Sequence, residues 1–363
     1  MKFRRYIELL VFIGVITILS SCADKFDLNQ IDPSDDDVNI GGDTVFVLLK
    51  PMWEGYNKPQ DVMVGREPFI YVADTENDRV VMLNLAGEIL GSRSIKHPVA
   101  LAQDHRLNLI VVAQFDTSVG GSTQTFSAVF KLDLVSVQHQ IEIVPITRLL
   151  PRTEDLNRPE LEYTGACVFA NNIFYVARKG PNNTSFIDPD NSILLFLPKK
   201  FFSEGAEGDT LVGRVPNIDP LGQGPVSAYD ISSMTSFNDQ SIDIIITLTG
   251  GTSFKSNWLH YQITPIDQRY VSNFSPSSGL DFMIPSRFEQ PEGSAIDNFG
   301  NIYIADAGKD SIYKFNTFGD ELESFGGPDY FSQPHGVAHF NNTLYVADTG
   351  NNRILRFSLS TDL

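Results

Sequence analysis

Short apolar runs alternate with polar turns along most of the chain, and the arrangement repeats. In QPHGVAHFNNTLYVADTGNNRILRF (residues 333–357), the polar segments NN and DTGNN separate three apolar runs. Runs of this length, rich in β-branched and aromatic residues and bounded by Gly, Asn and Asp, predict β-strands. The block QPEGSAIDNFGNIYIADAGKDSIYKF (residues 290–315) has the same order, at an offset of 43 residues before the first turn and 42 after it. The pattern therefore predicts a repeated unit of short strands.

Other copies of this unit precede the two C-terminal ones. A clear copy occupies residues 58–90, where the spacing from Asp74 to Arg79 matches an Asp-x4-Arg spacing in the last copy. Weaker copies lie between them, and their first apolar runs begin at His97, Thr164 and Tyr229. A period in the low forties with several short strands per unit is typical of propeller blades. We therefore predict an all-β fold over residues 43–363, a six-bladed β-propeller of four-stranded antiparallel blades.

The clear copies resemble NHL repeats. All three share Pro before the first apolar run and Tyr-aliphatic-Ala-Asp in the second, and the two C-terminal copies also share a Gly two residues after the Pro. The resemblance implies that strand a of each blade lines the central axis and that strands b, c and d follow outward. In an antiparallel blade of this kind, the b–c and d–a connections lie on one face of the disc and the a–b and c–d turns on the other.

The last blade needs a strand from elsewhere in the chain. Only a few residues follow the run at 353–357, which leaves no sequence for its strand d. An outermost strand c would expose an unpaired row of backbone groups. The run TVFVLLK (residues 44–50) precedes the first blade and has no other assigned role. We expect it to complete the last blade and close the ring.

The N-terminus predicts export and lipid anchoring. Lys2, Arg4 and Arg5 precede the apolar run at residues 9–19, and Leu-Ser-Ser-Cys follows, ending at Cys22. The run is too short for a transmembrane helix, which needs about 20 residues. It resembles a bacterial lipoprotein signal peptide (residues 1–21) with Cys22 as the lipidated residue. The alternative is an ordinary signal peptide that leaves Cys22 as a free thiol.

An acidic segment follows Cys22. Residues 22–42 contain six Asp and few apolar residues, too few to form a core, so we expect a flexible tether. The acidic run resembles export signals of surface lipoproteins in Bacteroidetes-like bacteria, which implies anchoring in the outer membrane with exposure at the cell surface. The formal net charge of the whole chain is −18, which argues against a nucleic-acid partner.

Extra residues concentrate in blades two to four. Between strands b and c we expect insertions at residues 114–126, 177–192 and 249–258. Between strand d and the next strand a we expect them at 145–163, 201–228 and 272–288. All of these connections belong to one face, and loops on a rigid scaffold commonly carry binding residues. We therefore expect the ligand on this face, with Arg178, Phe186 and Trp258 as loop candidates.

The start of each strand a should present a side chain to the axial opening. Alignment to His335 gives Gln60, Val99, Thr164, Tyr229, Glu292 and His335. The candidate ligand-binding residues are all of these except Val99. Asp61 and Asp230 lie one residue further along, and strand alternation predicts that they point away from the axis.

Two functions follow as hypotheses. The first is a lipid-anchored binding or interaction module of the cell envelope, without a cofactor, that engages a protein, peptide or saccharide on the long-loop face. The alternative is a divalent-metal-dependent hydrolase or lyase, as implied by six-bladed relatives with ligands around the axis. Only Glu292 and His335 are good ligands here, whereas a catalytic zinc normally has three. The sequence leaves enzymatic activity open and favours the binding module.

Overall fold

The computed structural model describes residues 45–198, 209–237, 241–275 and 280–360. The predicted signal peptide, the lipidation residue Cys22 and the predicted tether lie outside the described residues. The described residues form strands connected by turns, loops and short 3-10 segments. Among them, no helix is long and apolar enough to span a membrane.

The strands form six sheets of four. Strand β1 (Phe46–Leu48) precedes the first blade, which consists of β2 (Pro59–Val64), β3 (Ile70–Asp74), β4 (Arg79–Leu83) and β5 (Ile89–Ser94). Blade two consists of β6 (Ala100–Gln103), β7 (Asn108–Val119), β8 (Ser122–Asp133) and β9 (Ile146–Leu150). Blade three consists of β10 (Glu162–Val168), β11 (Phe174–Lys179), β12 (Ser192–Leu197) and β13 (Thr210–Arg214).

The remaining blades follow the same order. Blade four consists of β14 (Ile231–Ser236), β15 (Ile244–Leu248), β16 (Ser256–Ile263) and β17 (Gln268–Ser272). Blade five consists of β18 (Pro291–Ile296), β19 (Ile302–Asp306), β20 (Ser311–Phe315) and β21 (Glu321–Gly326). Blade six consists of β22 (Pro334–Phe340), β23 (Thr343–Asp348), β24 (Arg353–Leu359) and, outermost, β1. The predicted six-bladed propeller is therefore confirmed.

The N-terminal strand closes the ring as predicted. Strand β1 pairs antiparallel with β24, from Phe46 opposite Leu359 to Leu48 opposite Phe357. The pairing continues beyond the strand, because the Leu49 N–H donates to the Arg356 carbonyl at 2.8 Å. The outer edge of strand c in the last blade is thereby covered.

The core lies between neighbouring blades. One apolar cluster joins Tyr71 and Val80 of blade one to Leu109 and Val111 of blade two, and all four side chains are fully buried. Because each blade buries its faces against the next, the closed ring buries more apolar surface than any single blade could.

The repeated Asp residues at the ends of the b strands are structural. Asp348 is fully buried and accepts from Arg353 Nε at 2.7 Å and from the Ser332 N–H at 2.8 Å. Asp306 is the equivalent residue of blade five, which has no Arg at the position of Arg353. Its carboxylate accepts from the backbone N–H groups of Glu289 and Gln290 instead. Each carboxylate thus joins its b strand to the d–a connection that precedes its blade, so these residues stabilise the fold.

Several expected insertions are strands. Residues 114–126 lie within the long hairpin of β7 and β8, which pair without interruption to Val119 opposite Ser122. Strand β9 lies inside the stretch 145–163, and β13 lies inside 201–228. The sequence predicts a d–a loop for each of these two stretches, yet each stretch contains the outermost strand of its blade. In blade two, the d–a connection is therefore only the part of the stretch between β9 and β10.

The two faces of the disc differ in the connections that they carry. The loop face carries the b–c and d–a connections and the beginnings of the a strands. The turn face carries the a–b and c–d connections and the ends of the a strands. The loop at residues 180–191 in blade three and the one at 249–255 in blade four lie on the loop face, as predicted.

Candidate functional site

A β-bulge near the start of strand a shapes the axial opening. The bulge occurs in every blade except blade two, for example between Pro59 and Asp61 and between Pro291 and Gly293. A bulge places two residues opposite one and redirects a side chain. The side chains at this position line one pocket at the loop face, and they are Gln60, Val99, Thr164, Ser232, Glu292 and His335.

The prediction for blade four was wrong by three residues. Ile231 pairs with Leu248 and the bulge precedes Ser233, so Ser232 occupies the position equivalent to His335. Tyr229 lies before the strand and packs against an apolar cluster between blades three and four. It does not line the opening pocket.

The pocket has a volume of about 390 Å³ and lies off the axis, over blades two and three. Gln114, Thr125 and Ser127 of the long hairpin β7–β8 form one wall. Residues 159–163, which connect blade two to blade three, form another, and Lys179 at the end of β11 completes the rim. The extended hairpin of blade two and the segment leading into blade three therefore build the walls, while the axial ring builds the floor.

Two titratable side chains of the floor have shifted pKa values. Burial raises the pKa of Glu292, although Gln290 Nε2 donates to Glu292 Oε1 at 2.7 Å. Burial lowers the pKa of His335 to about 4, so this imidazole is neutral at pH 7. Within the described residues, no hydrogen bond engages the His335 ring. Its donor and acceptor nitrogens are therefore available to a ligand in the pocket.

The other polar ring residues have structural partners. The Ser232 hydroxyl donates to the Pro291 carbonyl at 2.6 Å, and the Thr164 hydroxyl donates to the Ile231 carbonyl. Each of these bonds joins one blade to the next around the axis. Thr164 and Ser232 thus fix the ring, which leaves Gln60, Glu292 and His335 as the side chains that could recognise a ligand.

Two charges stand at the rim. Lys179 Nζ lies 3.0 Å from Glu162 Oε2, and both side chains are partly exposed. The positive charge of Lys179 also acts on Glu292, whose pKa it lowers against the larger effect of burial. The pocket is thus polar and carries charges of both signs.

The three predicted loop residues do not meet at this pocket. Arg178 is buried in blade three, where its guanidinium donates to the Asp188 carboxylate and to the Pro189 carbonyl. Trp258 lies within strand β16, stacked on Phe237 at 4.6 Å, with its indole N–H donating to Asp243. Arg178 and Trp258 therefore support the fold.

Phe186 alone of the three is open to solvent. It is 92% exposed at the tip of the blade-three loop, next to Ile187 at 84%. Arg214 donates to the carbonyls of both residues, at 2.9 and 2.8 Å. The loop is thereby held in place beside the edge of blade three, apart from the axial pocket.

A second cavity of about 450 Å³ occupies the axial channel beyond the ring. Asp61 lines it, contrary to the expectation from strand alternation, because the bulge disrupts that alternation. Its carboxylate lies deep in the protein, accepts from the Leu101 N–H at 2.7 Å and keeps part of its surface open to the channel. Desolvation raises the pKa of Asp61 to about 7.

Two residues of the opening have side chains that could bind a metal. Glu292 and His335 lie on adjacent blades and line the same pocket. In the part of the chain that the structure describes, no three or more His, Cys, Asp or Glu side chains are grouped so that they could hold a metal ion. The described residues thus fall short of the three protein ligands of a catalytic zinc site.

Sequence and structure comparisons agree with this architecture. The family model for the NHL repeat matches residues 331–357. A search of curated proteins gives no match. The fold is similar to that of an auxiliary nutrient binding protein from Bacteroides thetaiotaomicron, at 10% identity and a TM-score of 0.56, over 84% of this chain and 70% of that one.

Two further solved structures are similar in fold. A PQQ-bound aldose sugar dehydrogenase from Streptomyces coelicolor has 11% identity and a TM-score of 0.56, over 88% of this chain and 99% of that one. A protein of unknown function from Bacteroides thetaiotaomicron has 10% identity and a TM-score of 0.53, over 88% of this chain and 77% of that one. At such low identity, the similarity shows the fold alone. The chain is therefore a six-bladed β-propeller that carries an NHL repeat.

Proposed function

We propose that this chain is a lipid-anchored binding module of the cell envelope, which takes a segment of a protein, peptide or saccharide into the loop-face pocket. One observation carries the proposal: the extended hairpin of blade two and the segment leading into blade three form the walls of a polar pocket of about 390 Å³, whose floor is the axial ring. Pockets of this size with a few converging polar groups are typical ligand sites.

The chemistry of the pocket favours a neutral or singly charged polar ligand. His335 offers a neutral donor and acceptor, while Gln60 and Gln114 offer amides. The paired charges of Lys179 and Glu162 stand at the rim, where a ligand group could replace either partner. Anchoring through Cys22 would keep the module at the membrane, and the similarity in fold to a nutrient binding protein is compatible with this role.

The proposal is tested by calorimetric titration of the full chain with neutral oligosaccharides and short peptides. We expect at least one of the two classes to bind, and Gln114→Ala to weaken that binding at least fivefold. Ser118→Ala, on the same strand but outside the pocket, is the matched control and should bind as the wild type does. If neither class binds the wild-type chain, or if both variants bind equally well, the proposal is wrong.

The metal-dependent hydrolase or lyase remains a second candidate because Glu292 and His335 line the same pocket from adjacent blades. Metal analysis of the purified protein separates the two functions. Stoichiometric metal that is lost in both Glu292→Ala and His335→Ala would favour the enzyme. Substoichiometric metal that is unchanged in the two variants would favour the binding module.

A further inference from the structure

The direction of strand β1 determines where the preceding chain enters the propeller. Phe46 pairs with Leu359 at the end of β24. One residue earlier, the Val45 carbonyl accepts from the Ser360 N–H at 2.8 Å. Strand β24 ends at the turn face. Residues before Val45 therefore join the disc at the turn face, opposite the candidate ligand pocket.

The turn face carries a group of exposed apolar side chains on two adjacent blades. Ile263 and Ile266, at and beyond the end of β16 in blade four, are 69% and 96% exposed. Phe299, in the a–b turn of blade five, is 79% exposed, and Phe318, in its c–d turn, is 72% exposed. We call these four residues the apolar turn patch. Blade five adjoins blade six, where the N-terminal chain enters.

The two turns of blade five lie against each other. A Cβ added to Gly300 would be 2.8 Å from Thr317 Cγ2, so the residues next to Phe299 and Phe318 are in contact. Asp297 accepts from the Phe299 N–H at 2.9 Å, and Asn316 accepts from the Phe318 N–H at 2.8 Å. Side-chain caps thus hold both turns in a fixed conformation while the two rings remain exposed. Pre-organised apolar side chains lose little conformational freedom when another surface covers them.

We propose that the apolar turn patch rests on the lipid bilayer that anchors the chain, so that the loop-face pocket points away from the membrane. The sequence outside the described residues supports this occupant, because the predicted anchor at Cys22 lies only about 20 residues before the turn face. A flexible chain of that length has an end-to-end distance of roughly 25 Å. A tether of this length on a lipidated Cys22 would keep the patch at a high effective concentration near the bilayer, where a weak contact suffices.

Exposed Phe and Ile side chains at turn tips have the chemistry of interfacial insertion. Their apolar area is removed from water at the boundary between headgroups and acyl chains. The formal net charge of −18 disfavours anionic lipid, so the contact should depend on apolar burial and prefer zwitterionic headgroups. This orientation is independent of ligand binding at the pocket, although it shares the predicted anchor with the proposed function.

Site-specific labelling of the full chain in vesicles tests the orientation. The lipid-anchored protein is reconstituted into phosphatidylcholine–phosphatidylethanolamine vesicles, and a nitrobenzoxadiazole label is attached at Phe318→Cys or Ile266→Cys. Phe186→Cys is the matched control, because Phe186 is 92% exposed on the opposite face. Cys167 is 3% exposed, so it should not react in the folded protein.

We expect nitroxide-bearing lipid to quench labels at residues 318 and 266 at least threefold more than the label at 186. In the double variant Phe299→Ser/Phe318→Ser, quenching at residue 266 should fall at least twofold. Equal quenching at both faces, preferential quenching at residue 186, or a chain that does not associate with vesicles would each overturn the proposal. Each single-cysteine variant reports independently, so one that misfolds does not leave the question open.

Discussion

The two ends of the axial channel have the same scaffold but different chemistry. At the loop face, the floor of the pocket presents His335 and Glu292, and the extended hairpin of blade two and the segment leading into blade three build its walls. Nearer the turn face, the wider cavity is bounded by the a strands and the a–b turns, and Asp61 lines it. The difference shows that the repeat fixes the channel, whereas segments added to particular blades build a walled pocket at one end.

The largest effect on stability should come from removing strand β1, which closes the ring. Deletion of residues 43–51 removes β1 and leaves the outer edge of β24 unpaired, so the ring cannot close. We expect the cooperative thermal transition followed by circular dichroism to be lost. A deletion of residues 24–32, in the predicted tether, is the control and should leave the transition in place. An unchanged melting curve in the first deletion would contradict the closure by β1.

The close contact between the a strands of blades six and one at Gly336 should tolerate no added side chain. A Cβ on Gly336 would lie 2.6 Å from Asp61 Cα and 2.8 Å from Val62 N, both backbone atoms of the neighbouring blade. Gly336→Ala should therefore lower the free energy of unfolding by about 1 to 3 kcal/mol, the usual cost of overpacking. Gly224→Ala is the matched control, because its added Cβ would have no atom within 4 Å. Equal stability of the two variants in chemical denaturation would contradict the prediction and show that blades six and one can move apart at Gly336.

His335 and Asp61, at the two ends of the channel, should make the free energy of unfolding depend on pH in opposite directions. The pKa of His335 falls from 6.5 to about 4 in the folded protein, so the unfolded chain binds more protons between these values and stability falls as pH drops through them. The pKa of Asp61 rises from 3.8 to about 7, so the folded protein binds more protons and stability falls as pH rises through that window.

These two contributions offset each other in the wild type, and single variants should separate them. His335→Gln should shift the difference in unfolding free energy between pH 4.5 and 7 towards greater stability at pH 4.5. Asp61→Asn should shift it the other way, each by about 1 to 2 kcal/mol. Other groups affect all three proteins alike, so urea denaturation at the two pH values isolates the shifts. Shifts of the same sign in both variants would contradict these pKa assignments.

The smallest effect on stability should come from the pocket rim. Lys179 and Glu162 are partly exposed and 3.0 Å apart, and such surface pairs contribute little. Lys179→Ala should change the free energy of unfolding by less than about 0.5 kcal/mol. Thermal denaturation checks this, and a loss above about 1.5 kcal/mol would mean that the ion pair supports the fold.

Much of the fold was predictable because it depends on repeated letters. The Pro, Gly and Tyr-aliphatic-Ala-Asp positions mark the a and b strands, and the missing last strand pointed to residues 44–50. Strands β9 and β13 were missed because they are edge strands with largely exposed side chains, so no buried alternation marks them. The sequence predicts a loop in place of the long hairpin of blade two, because the distal half of the hairpin is polar and largely solvent-accessible.

The site was less predictable because bulges and partners cannot be deduced from spacing. Blade four lacks the Pro-x-Gly letters, so the alignment gave Tyr229, while the bulge brings Ser232 to the opening. The same kind of bulge turns Asp61 into the channel against simple alternation. Gln114 and Lys179 lie within the predicted insertions at 114–126 and 177–192, but their meeting at one pocket depends on the fold of blades two and three and could not be deduced from spacing.

The most direct test of the central claim compares two histidines of one strand. His335 and His339 both lie on β22, His335 at the loop-face pocket and His339 in the cavity nearer the turn face, where it stacks on Tyr303. For any oligosaccharide or peptide that binds the wild type, calorimetry should show affinity at least tenfold weaker in His335→Ala and within twofold of wild type in His339→Ala. Equal losses in both variants, or a loss confined to His339→Ala, would contradict a ligand site at the loop face.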